Sequence, residues 1–191
     1  DVDVLSAASS SGEIAWYENE GSEDFTTHII TTDADNAKQV YAIDVDGDND
    51  IDVLSASWHD NNNITWYEND GSENFNAHAI DSPSGGLGNS VYATDVDGDG
   101  DIDILSAIRS GGSRVAWYEN DGSENFTTHI IDDLDDPRSV YAIDVDGDSD
   151  MDVISAHLGN KVKWHENDGS ENFTTHTITT SANGAYDVFA I

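Results

Sequence analysis

The chain has 191 residues, with 40 Asp plus Glu, six Lys plus Arg, seven His and no cysteine, for a formal net charge of −34. So few cations exclude nucleic acid as a partner, because phosphate contacts come from Lys and Arg. At 37% hydrophobic residues the chain can build a core, but no apolar run reaches the roughly 18 residues of a membrane helix, and disulfide or thiol chemistry has no residue to use.

The first residue is Asp1, not Met, which reads as a piece of something longer. Val2 to Ala7 is an apolar run expected as a strand. Trp16-Tyr17-Glu18-Asn19 follows, then a Gly-Ser-Glu turn, Phe25 and, three residues on, His28. This block returns: Trp16, Trp66, Trp117 and Trp164 recur at intervals of 50, 51 and 47 residues, followed by Phe75, Phe126, Phe173 and by His78, His129, His176. A second block reads Val40-Tyr41-Ala42-Ile43, Val91-Tyr92-Ala93-Thr94 and Val140-Tyr141-Ala142-Ile143, and Val188-Phe189-Ala190-Ile191 closes the chain on the same pattern. In the second copy, short β-branched and aromatic runs bounded by Gly, Asn, Asp and Ser predict strands over 40–43, 51–57, 63–68 and 75–80.

The units run approximately 1–38, 39–89, 90–138 and 139–184, with a final inner strand over 185–191, all in one repeat domain. Four short antiparallel strands every ~50 residues predict an all-β chain folded as a β-propeller of four four-stranded blades. One blade is expected to be a composite of both termini, closed by strand exchange; the alternative is a slice of a larger propeller.

Between the first and second strands lie three Asp-rich loops. They are Asp44, Asp46, Asp48, Asp50 and Asp52; Asp95, Asp97, Asp99, Asp101 and Asp103; and Asp144, Asp146, Asp148, Asp150 and Asp152. Carboxylates fall at positions 1, 3, 5, 7 and 9, with Gly47, Gly98 or Gly147 at position 4. One pair of like charges 4 Å apart costs ~4 kcal/mol at an effective dielectric of 20, and a divalent cation removes that cost. All-oxygen donors favour Ca²⁺ over Mg²⁺, and the lack of His or Cys disfavours Zn²⁺. An EF-hand is excluded, since its Gly stands at position 6 and its Glu at 12, where this chain has Ser55.

Asp-x-Asp-Gly-Asp-x-x-x-Asp followed by an apolar strand, repeated in four-stranded units along the whole chain, resembles the FG-GAP/VCBS repeats. That family includes the propellers of integrin α subunits and some secreted lectin-like proteins. The resemblance implies that side chains at positions 1, 3, 5 and 9 and the carbonyl at position 7 bind Ca²⁺, about three ions per chain. Asp1 and Asp3 match positions 7 and 9 of a partial fourth site whose first six residues are absent. The family's Phe-Gly and Gly-Ala-Pro signatures are missing, which leans towards the VCBS-like branch.

The His that follows each Phe lies on the last strand of its unit, at the periphery, so these imidazoles are expected to pack locally and not converge. The four repeated Trp are expected between blades, and Tyr41, Tyr92, Tyr141 and Phe189 along the central channel. Trp58 and His59 break the repeat beside Asp60-Asn61-Asn62, where an aromatic ring next to amides could stack on a sugar. Asn63, Asn125 and Asn172 begin N-glycosylation sequons. No nucleophile elbow, phosphate loop or zinc-protease motif is present, so no catalytic residue is assigned. The expected function is a non-catalytic, calcium-stabilised extracellular or cell-surface module for glycan or protein recognition and adhesion. The alternatives are a self-assembling structural unit of a filament or surface layer, and the propeller domain of a larger polysaccharide-acting enzyme.

Overall fold

The computed structural model of the chain describes residues 2–22, 24–58, 63–133 and 135–191. Its fifteen strands form four antiparallel sheets in sequence order, and no helix occurs among the described residues. The first sheet holds β1 (Val4–Ala8), β2 (Glu13–Asn19) and β3 (Phe25–Thr31); the second holds β4 (Gln39–Ile43), β5 (Asp52–Ala56), β6 (Ile64–Asn69) and β7 (Phe75–Asp81). The third comprises β8 (Leu87–Thr94), β9 (Asp103–Arg109), β10 (Arg114–Asn120) and β11 (Phe126–Asp132). The fourth comprises β12 (Pro137–Ile143), β13 (Asp152–His157), β14 (Lys161–Asn167) and β15 (Phe173–Thr179). In the second unit each expected strand is present, with ends within a residue of expectation.

Every sheet is an up-and-down meander, and the sheets stack face to face like blades. All five residues of β5 are buried because both faces of that strand are covered, which is why Asp-Val-Leu-Ser-Ala lacks polar alternation. The core lies between blades. Leu54, Ile64 and Trp66 of the second meet Val91, Ile104 and Tyr118 of the third, and Leu105 and Trp117 of the third meet Val140 and Val153 of the fourth. Trp66 takes the edge of Phe126 at 6.1 Å and Trp117 that of Phe173 at 6.2 Å. Trp16 and Phe75 instead flank a cleft of about 360 Å³ between the first two blades. Val45 and Val96 plug the corresponding place in the other two interfaces.

The repeated His residues behave as expected. Each stacks on the Trp of its own blade at 4.1–4.7 Å and bonds the Glu two residues beyond that Trp, as in His78 Nε2 to Glu68 at 2.7 Å.

The composite closing blade is not formed. Among the described residues, 185–191 is not a strand and makes no ladder with β1, so the first sheet keeps three strands and the four blades form an open series. The physical reason is placement. Residues 185–191 continue the series beyond β12, with Phe189 stacked on Tyr141 at 4.7 Å, whereas β1 borders β4 at the other end. Tyr41, Tyr92, Tyr141 and Phe189 do form one aromatic ladder, with centroids 4.7–5.1 Å apart.

Candidate metal centre

All three Asp-rich loops close in the same way. Asp44 Oδ1 accepts Gly47 N–H at 2.8 Å and its Oδ2 accepts Asn49 N–H at 3.0 Å. Asp95 binds Gly98 and Gly100 alike, and Asp144 binds Gly147 and Ser149. The position-4 glycines sit at φ 77°, 80° and 84°, a left-handed conformation that costs glycine nothing. Position 9 anchors the loop to the sheet. Asp52, Asp103 and Asp152 are fully buried, each accepting the N–H of Val45, Val96 or Val145 on one oxygen and of Asn69, Asn120 or Asn167 on the other.

Carboxylates at positions 1, 3 and 5 converge in two loops (Asp44, Asp46, Asp48 and Asp95, Asp97, Asp99), and those at 1, 3 and 9 in the third (Asp144, Asp146, Asp152). In each set the oxygens lie within 4.8 Å of one another. Among the described residues no Lys or Arg makes an ion pair with any of them. Burial, reinforced by the neighbouring carboxylates, pushes Asp46 and Asp103 up to about 6, and Asp52 and Asp97 upward as well. A folded loop holding oxygens this close with no countercharge fits a hard divalent cation. At position 7, the side chains of Asp50, Asp101 and Asp150 lie outside these sets, against the turn glycines Gly71, Gly122 and Gly169 of the same blades. That leaves their carbonyls as the groups the resemblance assigns to the ion.

Asp3 accepts Asn19 N–H at 2.8 Å in the manner of Asp52. Asp1 lies outside the described residues, as do His59, Asp60, Asn61 and Asn62. Trp58 is not an open platform: Lys38 Nζ lies 3.8 Å and Arg109 Cζ 4.9 Å from its ring centroid, and its Nε1 donates to Asn89. Of the sequons, Asn125 and Asn172 are exposed in turns. Asn63 is fully buried, donating to the carbonyls of Gly86 and Ser57, so the folded chain has no room for a glycan there.

Two networks escape sequence reasoning. Arg114 and Tyr118 both bond Asp81 across the second and third blades, with Ser106 behind Tyr118. At the matching place in the fourth blade His165 replaces the tyrosine, and Ser155 joins His165 and His157 at 2.8 and 2.7 Å beside the Lys163–Asp132 pair. The one available signal is His165 standing where Tyr17, Tyr67 and Tyr118 stand in the other units.

The blade series and its loops define a repeat protein whose acidic turns face one end of the inner strands. A family model described as FG-GAP-like repeat matches residues 1–55, 44–106 and 95–155, the second match running from one Asp-rich loop through the next. The chain belongs to the FG-GAP-like repeat family. No curated protein matches it.

Proposed function

We propose that this chain is a non-catalytic recognition module, working outside the cell and stabilised by about three Ca²⁺ ions, that presents its interblade loops to a glycan or a protein. The observation that carries the calcium reading is the threefold convergence of uncompensated carboxylates on a fixed loop geometry. Bound Ca²⁺ supplies positive charge that cancels the repulsion within each loop. The residues do the rest: position 9 ties the loop to the second and third strands of its blade, and the side chains of positions 1, 3 and 5 (1, 3 and 9 in the third loop) would hold the ion. The test is a calorimetric titration of metal-stripped protein, expected to give about three ions per chain. No binding at millimolar Ca²⁺ overturns the reading.

Completion of the ring by further blades, in a second copy, is the structural reading, and the uncovered faces favour it. Phe25 of the first blade is 50% exposed. Trp164 is partly exposed, where Trp66 and Trp117 are sealed beneath the Phe of the next blade. An exposed Phe on the first blade and a partly exposed Trp on the fourth are complementary, a contact that propagates head to tail. Sedimentation as a concentration-dependent oligomer, lost in Trp164→Glu, supports it; a monomer at all concentrations removes it.

A further inference from the structure

Three of the six cations, Arg114, Lys161 and Lys163, are paired with aspartates between blades. The other three, Lys38, Arg109 and Arg138, have no carboxylate within ion-pair distance among the described residues, in a chain of net charge −34. They gather in one place. Lys38 and Arg109 both lie over the Trp58 ring, and Trp58 bonds Asn89. Lys38, Asn89, Arg138 and Tyr186 then line a single hollow of about 190 Å³.

The repeat explains why they meet. These four residues each stand two places before the Val of an inner-strand motif, at Val40, Val91, Val140 and Val188. Equivalent positions on innermost strands converge on the axis, whereas the repeated His on outermost strands are kept apart. Asn89 and Arg138 are also the extra residues of bulges at Gly88/Ser90 and Pro137/Ser139, the device that turns a side chain out of a ladder. The hollow lies at the start of the inner strands, opposite the Asp-rich loops at their ends.

Its inventory is specific. The guanidinium of Arg138 makes no hydrogen bond among the described residues, and its Nε is buried without a partner. The one hydrogen bond of the Lys38 ammonium among the described residues is to Ser9 Oγ at 3.4 Å. Asp187 is the one carboxylate present, held on Oδ1 by Ser139 and Val188 N–H, leaving Oδ2 as an acceptor. Tyr186 is 65% exposed, with Arg138 Cζ 5.5 Å from its ring centroid. A bare inorganic anion has no use for the acceptor or the ring. A pyranose bearing an acidic group uses all three: the anion on Arg138 and Lys38, a hydroxyl on Asp187 and an apolar ring face on Tyr186.

We propose that this axial hollow binds an acidic sugar, with Arg138 and Lys38 pairing its carboxylate or sulfate and Tyr186 stacking on the ring. The proposal rests on the glycan side of the recognition reading and narrows it to anionic glycans.

The experiment titrates the Ca²⁺-loaded protein with a galacturonate trimer, a sulfated galactose trimer and the neutral galactose trimer, at low and high salt. Binding of one or both acidic trimers, weakened at least about tenfold in Lys38→Gln/Arg138→Gln and retained in Lys38→Arg/Arg138→Lys, is the expected result. Which acidic trimer binds separates carboxylate from sulfate. High salt weakens the interaction, and unchanged Ca²⁺ stoichiometry and melting confirm that the double variant is folded. Acidic trimers that bind both proteins equally overturn the site while leaving glycan recognition standing. Neutral binding alone overturns the proposal but not that reading. Failure of all three trimers overturns the proposal and counts against glycan recognition as well.

Discussion

At position 9 of each metal loop one aspartate holds the turn to the sheet through two backbone N–H groups, so it is sensitive before any ion binds. Asp103→Asn keeps one acceptor and loses the charge. It is expected to cost roughly 1–3 kcal/mol in the stripped protein and to reduce the calorimetric stoichiometry by one ion, with denaturant melts and titration as the measurements. Asp101→Asn is expected to leave stoichiometry unchanged, because its side chain faces Gly122 and not the converging carboxylates.

His165 makes the residue-scale prediction in pH. Burial above all, with His157 and Lys163 adding and Asp132 opposing, holds its imidazole down to about 4 from 6.5. A folded pKa below the unfolded one means that the stabilisation is complete above pH 6.5 and is lost as pH falls towards 4. At 1.36 kcal/mol per unit this amounts to roughly 3 kcal/mol. His165→Tyr, which installs the residue of the other three units, is expected to flatten that part of the stability–pH curve relative to wild type. Parallel curves for the two proteins in chemical denaturation would refute it.

Among the elements, the blade interfaces carry the energy, and they are unequal. Trp117 is fully buried between the third and fourth blades, so Trp117→Ala is expected to cost about 3–5 kcal/mol. Trp164→Ala in the monomer should cost distinctly less, because no Phe covers that ring; equal losses in denaturant titrations would mean the face is buried after all. Strands and blades were legible in the residues because each unit repeats its punctuation. Asn-Asp-Gly-Ser marks a hairpin, and Asp-x-Asp-Gly-Asp marks the loop before a buried strand. That the alternating Asp of each loop lie close together follows from local spacing, although the trio that converges is positions 1, 3 and 5 in two loops and 1, 3 and 9 in the third. What stayed hidden were contacts between blades: the Asp81–Arg114–Tyr118 network and the hollow at Lys38 and Arg138. Those depend on which register positions face the axis, a property of the stack and not of any single unit.

On the scale of the whole molecule the dominant fact is charge. A net charge of −34 destabilises the compact state through self-repulsion. Chelation should therefore lower the melting temperature most at low ionic strength, and added salt should recover part of the loss. A chelation effect independent of salt would separate the loops from the global field. Closure was the feature that sequence could not decide, because matching end motifs say that a ring could be completed and not that one chain completes it.

Neighbouring inner strands are joined without a backbone ladder. Gln39 Oε1 accepts Val91 N–H at 2.9 Å, Ser90 Oγ accepts Val140 N–H at 3.2 Å, and Ser139 Oγ accepts Val188 N–H at 3.3 Å. The seams between units are thus sewn by side chains, and no sheet is shared between units. A gene encoding such a chain can gain or lose a whole unit by unequal recombination between its near-identical Asp-rich segments without cutting a sheet. Unit number then becomes a heritable quantity that varies in whole steps.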